Sequence, residues 1–507
     1  MFDYIVVQAG GKGSRLKKLT QNKPKALVSI NNLPMIFHLF KRFPDKKFVI
    51  IGDYKYDVLE KYLKAFAKVD YKLVCGTGHI GTCAGLGEAL ENVPADKPFM
   101  LIWSDLVLGD GFVEPTENKN YVGLSQEFPC RWRYHDRKFE EISSSDEGVA
   151  GLFIFKNKSI LADTPIEGEF VRYLSTKNID FDSFVLPKTQ EYGLFDIVNN
   201  LDKPKCRPFN SILVKDGKLI KTPLDKQGFD LAKHEVNWYR FINEKASEKI
   251  NIPKIYNYEP LIMDFIGDGT HLYKTDYLSR EQKIEVLKSI VDSLDKIHKL
   301  GSTEADYESF VDAYLIKTMK RLEKVKDLVP FAKDEFVIVN SKKCHNIFYC
   351  LKEISKDVFD FFPDKFCAIH GDCTFSNMML DKNFKPILID PRGYFGKVEI
   401  FGDEAYDWAK VYYSVVGNYD QFNLGKFDLK INENDVTLSI ESNGYEDLEY
   451  VLLELLKGKV FRKQLLLYHM IIWYSLTTYA WNDYDSICGA FYKGCEVLEE
   501  YLEEKNK

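Results

Sequence analysis

The stretch FCAIHGDCTFSNMMLDKNFKPILIDPRGYF, residues 366–395, joins two short apolar runs through a polar loop. The first run leads to His370 and Asp372, Asn377 follows five residues after Asp372, and the second run leads to Asp390. Apolar runs bounded by turn residues predict a strand, a loop and a second strand. The sequence therefore places a histidine, an amide and two carboxylates close together at strand ends.

These residue types suit phosphoryl transfer from ATP. The reaction needs a carboxylate to accept the proton of a hydroxyl group and oxygen ligands that hold Mg²⁺ against the phosphates. Asp372 fits the base, whereas Asn377 and Asp390 fit the metal ligands. The alternative interpretation is a β-hairpin whose Asp and Asn residues only make turns.

The same positions resemble the catalytic loop of protein kinases, H-x-D-x-x-x-x-N followed by a metal-binding Asp. They are more similar to the aminoglycoside phosphotransferase and choline kinase superfamily, because Gly371 replaces the usual Arg and residues 389–393 read Ile-Asp-Pro-Arg-Gly. The resemblance implies an α+β, two-lobed kinase-like domain at residues 211–507 that uses ATP and Mg²⁺. Its small lobe would span about residues 211–268 and its helical large lobe about 269–507.

The residues ahead of this stretch fit the small lobe of such a kinase. Two apolar runs flank the Asp-Gly pair at 216–217, which predicts a β-hairpin, and a helix that carries Glu235 is expected next. The resemblance implies that Lys221 grips the ATP phosphates and that Glu235 orients Lys221, with Lys218 as the alternative lysine. It also implies that residues 261–266 frame the adenine.

The large lobe is expected to be mostly helical. Ser279 with Gln282 forms a capping box, which predicts the start of a helix that ends before Gly301. His298 near the end of this helix is expected to interact with the helix dipole. The resemblance implies that the segment around Asp407 braces the catalytic loop, so we expect Asp407 to be structural.

Length and composition indicate a soluble protein of two or three domains, with 507 residues, 45% hydrophobic and 29% charged. The formal net charge of −7 gives no basic footprint for nucleic acid. The ten cysteines include no CxxC pair, so neither a zinc site nor a disulfide framework is expected. No signal peptide is recognised, and the apolar segment 465–481 carries polar residues, so we expect a buried helix and a cytoplasmic protein without membrane insertion.

A glycine-rich motif follows the first predicted strand. Gly10, Gly11 and Gly13 allow backbone N–H groups to close on a triphosphate, which larger side chains would block. Together with Arg15 and Lys25, the motif resembles the signature AGxGxRL followed by PK. That signature is typical of nucleotidyltransferases that activate sugar 1-phosphates and phosphocholine.

This second resemblance implies an α/β domain with a doubly wound, mostly parallel sheet at residues 1–200. The alternation of predicted strands and helices over this region also favours a parallel sheet. By resemblance, Gly81 and Thr82 help to bind the nucleotide.

The resemblance also implies the catalytic groups of this domain. Asp105 and Asp196 would hold Mg²⁺, and with Arg15 and Lys25 they would offset the repulsion between two anionic reactants. Asp105 follows an apolar strand, and the carboxyl ends of such strands are where doubly wound sheets bind ligands.

The order of the two domains predicts a bifunctional enzyme. Residues 201–210 are polar with two prolines and predict a linker. The kinase would make a phosphate monoester, and the nucleotidyltransferase would join it to CTP, UTP or GTP with release of pyrophosphate. Such products feed surface polysaccharide and capsule synthesis.

The acceptor stays open at this stage. A sugar 1-phosphate is the first choice for the intermediate, and choline or ethanolamine with a CTP-dependent transferase is the alternative. A further alternative is that one domain is a pseudoenzyme that binds nucleotide and regulates the other. Small molecules are the only partners expected, and the sequence does not predict an oligomeric state.

Overall fold

The computed structural model describes residues 2–76, 78–199, 201, 210–267 and 269–507. The chain groups into two compact units. The first comprises Met1–Lys203 with Trp481–Asp485, and the second comprises Pro204–Ala480 with Ser486–Lys507. The predicted linker at 201–210 lies, except for its two end residues, outside the described residues.

The first unit alternates strands and helices in its first half. Its strands are β1 Tyr4–Gln8, β2 Ser29–Ile30, β3 Leu33–Pro34, β4 Lys47–Gly52, β5 Asp70–Cys75, β6 Phe99–Trp103, β7 Leu106–Val107, β8 Tyr121–Ser125, β9 Arg133–His135, β10 Lys138–Glu140, β11 Gly148–Phe155, β12 Asp182–Val185 and β13 Gln190–Glu191. Its helices are α1 Met35–Arg42, α2 Tyr56–Phe66, α3 Leu86–Leu90, α4 Phe170–Ser175 and α5 Phe195–Asn199, with 3₁₀ turns at Ser14–Thr20, Lys25–Leu27 and Ser159–Leu161.

A nine-stranded sheet forms the centre of the first unit. The strands β5, β4, β1 and β6 lie side by side and run parallel. The strand β11 pairs antiparallel with β6 and β8, and β12 pairs parallel with β8. The predicted mostly parallel sheet is therefore correct for the first half only, and the sheet as a whole is mixed. The reason is that the later strands connect through turns such as the β9–β10 hairpin, which antiparallel pairing allows.

The central strands bring two predicted motifs to one edge of this sheet. Ile5, Val6 and Val7 are fully buried, as expected for a strand that is covered on both faces. In the parallel register Gln8 lies opposite Trp103. The glycine motif after β1 and Asp105 after β6 therefore leave the sheet at the same edge, where α/β sheets bind ligands.

The second unit begins with strands and continues mostly as helices. Its strands are β14 Asn210–Lys215, β15 Lys218–Pro223, β16 Ile255–Tyr258, β17 Leu261–Asp264, β18 Thr270–His271, β19 Ser302–Glu304, β20 Phe336–Val339, β21 Lys342–His345, β22 Lys365–Ala368, β23 Met378–Leu380, β24 Pro386–Leu388, β25 Tyr394–Phe395, β26 Val398–Glu399, β27 Phe401–Gly402, β28 Phe427–Ile431 and β29 Val436–Ile440. Its helices are α6 Lys226–Lys245, α7 Arg280–His298, α8 Tyr307–Val311, α9 Lys317–Val325, α10 Ile347–Phe359, α11 Glu404–Val415, α12 Tyr419–Asn423, α13 Glu449–Leu455, α14 Arg462–Leu476 and α15 Tyr484–Lys505.

A four-stranded sheet, β14-β15-β17-β16, opens the second unit. Lys215 lies opposite Lys218 in the β14–β15 hairpin, and Asp216 and Gly217 have φ values of 50° and 68°. Positive φ at both central residues is typical of a type I′ turn, whose twist matches that of the flanking strands. The predicted hairpin is confirmed, and α6 follows it with Glu235 buried.

Helices form the core of the rest of this unit. The Ser279 hydroxyl accepts the Gln282 N–H at 3.3 Å and Gln282 Oε1 accepts the Ser279 N–H at 2.9 Å, so the predicted capping box of α7 is confirmed. The apolar segment at 465–481 contributes most of α14, whose residues from Leu465 to Tyr474 are all buried. Within the described residues, no helix combines the length and apolar character needed to cross a bilayer.

Candidate active sites

The first candidate site lies at the edge where β1 and β6 end. Gly13 has a φ of 64°, and a Cβ there would lie 3.1 Å from the Cβ of Lys25, so glycine allows this close approach. A Cβ on Gly10 would lie 3.0 Å from the Cβ of Asp53, whereas one on Gly11 would meet no described atom within 4 Å. The loop is therefore packed on one side and open at Gly11, as a backbone cradle for phosphates requires.

Two carboxylates and two cations meet beside this loop. Lys25 Nζ forms a short ion pair with Asp105 Oδ2, and Arg15 Nη2 lies 3.4 Å from Glu191 Oε1. Glu191 belongs to β13, which pairs with β7 directly after Asp105. The Tyr192 N–H donates to the Asp105 carbonyl at 3.0 Å, which fixes the two acidic residues as neighbours.

Gly193 keeps the space between these groups open. A Cβ at this position would overlap Glu191 Oε1 and would lie 3.0 Å from Arg15 Nη2 and 3.3 Å from Asp105 Oδ2. Burial and the charge of Asp105 raise the pKa of Glu191, while Lys25 and Arg15 act in the opposite direction. Paired carboxylates offer the hard oxygen donors that Mg²⁺ prefers, so the donor set fits this ion.

The other predicted residues of the first unit have contacts that differ from those of this cluster. Asp196 is exposed on α5, and the described contacts join Glu191, not Asp196, to Arg15. The Thr82 hydroxyl accepts the Phe170 N–H at 2.8 Å. Gly81 has a φ of 104° and packs against backbone so closely that a Cβ would not fit. Metal binding by Asp196 and nucleotide binding by Gly81 and Thr82 stay predictions.

Lys221 lies at the centre of the second candidate site. Its Nζ is 2.7 Å from Glu235 Oε2 and 2.9 Å from Asp390 Oδ1. Burial opposes the charge of Lys221, but the two carboxylates raise its pKa above the usual value. Burial raises the pKa of Glu235 to about 7, with Lys221 opposing this shift and Asp390 adding to it. Lys218, the alternative lysine, instead lies over the Tyr256 ring at 4.3 Å.

Asp372 lies in the loop after β22, between an amide and a lysine. Asn377 Nδ2 donates to Asp372 Oδ2 at 2.9 Å and to its carbonyl at 2.8 Å. Lys410 Nζ, from α11, lies 3.0 Å from Asp372 Oδ1. Burial opposes the charge of Lys410, but the charge of Asp372 raises the pKa of this ammonium. The sequence interpretation missed Lys410, because its only signal is a contact across the fold.

The donor set of the second site also fits Mg²⁺. The Ile389 N–H donates to the Asn377 carbonyl at 3.0 Å, which brings Asn377 next to Asp390. The amide nitrogen of Asn377 faces Asp372, so its amide oxygen is left to bind a cation. The Asp390 side chain is 52% exposed and supplies carboxylate oxygens to the same space.

Asp407 braces the loop that carries Asp372. Its carboxylate accepts the N–H groups of His370 at 2.8 Å and Gly371 at 2.7 Å, which confirms the predicted bracing role. His298 Nε2 lies 3.1 Å from Asp407 Oδ2. His298 lies in the last turn of α7, as expected for an interaction with the helix dipole, and α11 in addition carries Asp407 to this imidazole.

Comparison with known proteins gives matches to part of the chain. Residues 4–120 match the family model described as nucleotidyl transferase. The UTP–glucose-1-phosphate uridylyltransferase AglF of Haloferax volcanii is 34% identical over 115 residues, which are 21% of this chain and 46% of that protein. The chain spans less than half the length of the curated relatives that it matches first.

Two further matches cover about two fifths of the chain. The D-glycero-alpha-D-manno-heptose 1-phosphate guanylyltransferase of Campylobacter jejuni is 26% identical over 207 residues, which are 40% of this chain and 88% of that protein. The crystal structure of HddC from Yersinia pseudotuberculosis is 19% identical and covers 39% of this chain and 96% of that chain, with a TM-score of 0.34. The first unit therefore has an α/β fold, and residues 4–120 within it match the nucleotidyl transferase family model.

Proposed function

We propose that this chain is a bifunctional enzyme that phosphorylates a small hydroxyl compound with ATP and then transfers a nucleotidyl group to the new phosphate. The observation that carries the kinase half is the contact of Lys221 with both Glu235 and Asp390, next to the pair of Asp372 and Asn377. These five groups come from three separate segments of the sequence. Together they supply a lysine for the ATP phosphates, a glutamate that orients it, two metal donors and a base, which phosphoryl transfer from ATP uses. The nucleotidyltransferase half is supported by the family match over residues 4–120.

In the proposed kinase step, the hydroxyl oxygen of the acceptor bonds to the γ-phosphorus of ATP while the bond from that phosphorus to ADP breaks. Asp372 accepts the hydroxyl proton, and Lys410 keeps the Asp372 carboxylate charged and oriented. Lys221 binds the ATP phosphates, and Glu235 fixes its position. A magnesium ion at Asn377 and Asp390 would neutralise phosphate charge.

In the proposed transfer step, an oxygen of the new phosphate bonds to the α-phosphorus of an NTP, and the bond to pyrophosphate breaks. The open backbone at Gly11 cradles the phosphates of the NTP. Arg15 and Lys25 offset the negative charge that accumulates as two anions approach. The carboxylates of Asp105 and Glu191 would hold a magnesium ion that supplies further positive charge there, with Asp196 as the third candidate ligand.

The proposed product is an NDP-activated sugar for surface polysaccharide assembly. The names of the two curated relatives, which act on glucose 1-phosphate and a heptose 1-phosphate, favour a sugar acceptor. They name UTP and guanylyl transfer respectively, so CTP, UTP and GTP all belong in the test.

A panel assay tests both halves separately. The full chain is incubated with ATP, Mg²⁺ and each NTP against sugars and amino alcohols, and ADP and pyrophosphate are followed independently. Asp372→Asn should abolish ADP formation yet keep pyrophosphate release from a supplied phosphate ester, and Asp105→Ala should do the reverse. Pyrophosphate without any ADP removes the kinase half, and ADP without any pyrophosphate removes the transferase half.

A further inference from the structure

A small cavity in the second unit lies beside the candidate kinase base. It has a volume of about 50 Å³ and is lined by side chains that include Asp312, Lys317, Arg392, Tyr394, Tyr406 and Ser475. This volume exceeds the space that one water molecule needs, so the cavity has room for a small polar group. We call it the cationic cavity.

The cationic cavity lies near Asp372, because Arg392 lines the cavity and packs against Gly371, the residue before Asp372. A Cβ on Gly371 would lie 3.0 Å from the Cβ of Arg392. Arg392 Nη1 donates to the Tyr406 hydroxyl at 3.1 Å. Lys410, which pairs with Asp372, lies over the Tyr406 ring at 5.7 Å from its centroid. A molecule in this cavity would therefore lie next to the base.

The charges around the cavity are mostly positive. Lys317 and Arg392 line it, and Arg321 donates to the lining hydroxyl of Ser475 at 2.7 Å. Among the described residues, no carboxylate oxygen lies within 4.0 Å of the cationic nitrogens of these three side chains. Asp312 is the one acidic residue on the described wall. Three half-buried cations therefore face this cavity with one carboxylate on its wall, and this excess of positive charge indicates a place for an anion.

Two further observations agree with an anion at this place. Burial and the charges of Arg392, Arg321 and Lys410 lower the pKa of Lys317 to about 7, with Asp312 acting in the opposite direction, so the positive charges outweigh the acidic one at this place. Lys317 also follows a π-helical turn, Asp312–Ile316, in which its N–H donates to the Asp312 carbonyl. Such turns are rare in helices and occur often at functional sites.

We infer that the cationic cavity binds an anionic group of the acceptor, so that the proposed kinase acts on a hydroxyl compound that already carries a phosphate or a carboxylate. This inference rests on the proposed kinase function and narrows its substrate class. A neutral sugar would leave the excess positive charge of the cavity unbalanced, and a choline-like cation would be repelled by it.

The test uses acceptors that differ only in charge. Glycerol, glycerate and glycerol 3-phosphate form one series, glucose, glucuronate and glucose 6-phosphate form another, and choline is the cationic member. ADP formation by the full chain gives kcat/KM for each compound. We expect the anionic members to exceed their neutral counterparts by about 10-fold to 100-fold, as for hydrogen bonds to charged groups. Preference for phosphate over carboxylate, or the reverse, identifies the anion.

A pair of variants assigns the preference to the cavity. Lys317→Met should lower the anionic-to-neutral ratio about 10-fold. Lys320→Met, a change of the same kind at an exposed position of the same helix, should leave the ratio unchanged. The wild-type panel decides the inference even if a variant does not fold.

The outcomes separate the inference from the function on which it rests. Preference for neutral acceptors or choline overturns the inference but keeps the kinase, and an unchanged ratio in Lys317→Met overturns the assignment to this cavity. If no compound yields ADP, the kinase proposal fails, and calorimetric titration with inorganic phosphate decides the cavity. Weaker phosphate binding by Lys317→Met than by Lys320→Met then supports an anion site, and equal binding overturns it.

Discussion

Glu191 shares the first candidate site with Asp105, and its protonation controls the charge available to a metal ion. Burial and the charge of Asp105 raise the pKa of Glu191, so this carboxyl takes up a proton at a higher pH than an ordinary glutamate. A protonated Glu191 binds a cation less well, and we therefore expect Mg²⁺ affinity to fall as the pH is lowered.

We predict that Glu191→Gln raises the Mg²⁺ concentration for half-maximal pyrophosphate release about 10-fold, because one charged donor is lost. The variant should also lose most of the low-pH dependence of this concentration. The measurement is pyrophosphate release against Mg²⁺ at several pH values. Glu88→Gln, at an exposed position of α3, is the control and should behave like wild type. Retention of the wild-type pH profile in Glu191→Gln would show that this carboxyl does not bind the ion.

We expect Lys317 to make acceptor binding in the cationic cavity depend on pH. Its pKa is lowered to about 7, so the side chain is charged below this pH and neutral above it. An anionic acceptor binds the charged form, and its KM should therefore rise between pH 7 and 8 by up to about 10-fold. Lys317→Arg should keep the charge throughout this range and give a flat profile. The check is the KM for the preferred anionic acceptor from pH 6 to 8, and a parallel rise in both proteins contradicts the prediction.

Among the secondary-structure elements, the loop that carries Asp372 depends on a helix that is distant in sequence. The loop residues His370 and Gly371 donate their N–H groups to Asp407 on α11, and α7 adds His298 to the same carboxylate. Burial acts against the charge of Asp407, but the contact with His298 and the charge and N–H group of His370 keep the pKa of Asp407 below its usual value. Three segments are therefore held together by one buried anion.

We predict that Asp407→Ala lowers the free energy of unfolding of the second unit by about 3 kcal/mol, because it leaves buried partners of a charge unsatisfied. ADP formation should fall with it, since the loop carrying Asp372 loses its support. Glu285→Gln changes an acidic residue on α7 whose side chain is 72% exposed, and it should cost less than about 0.5 kcal/mol. Urea denaturation, together with hydrogen exchange of the peptide at 366–377, measures both effects. Equal stability of the two variants would contradict the bracing role.

The sequence predicts elements well where the signal is local. The Asp-Gly turn at 216–217 and the Ser279 capping box depend on neighbouring residues, and both are found in the structure. The HxD stretch with Asn377 and Asp390 could be recognised because its residues lie within one short span. Glu191 and Lys410 carry no comparable signal, since only tertiary packing brings them to a site. The mixed sheet of the first unit was missed for the same reason, because strand direction depends on long-range pairing.

For the molecule as a whole, the question is whether the two proposed steps must take place on the same polypeptide chain. The covalent connection raises the local concentration of the intermediate only if it is captured before it diffuses away. A small phosphate ester in water exchanges between molecules quickly, so a free intermediate should serve any nucleotidyltransferase unit in solution. The proposed chemistry itself requires only that the first product dissociate.

We predict that a mixture of Asp372→Asn and Asp105→Ala forms the NDP-activated product at about half the wild-type rate per chain, because each protein supplies one intact site. The measurement starts from the unphosphorylated acceptor, ATP and the preferred NTP, and it follows the final product over time at equal total protein. Each variant alone is the control and should give no product. A longer lag in the mixture at low protein concentration is expected, since the intermediate must accumulate in solution before the transfer step runs. Absence of product from the mixture, with both single activities intact, would mean that the intermediate passes within one chain.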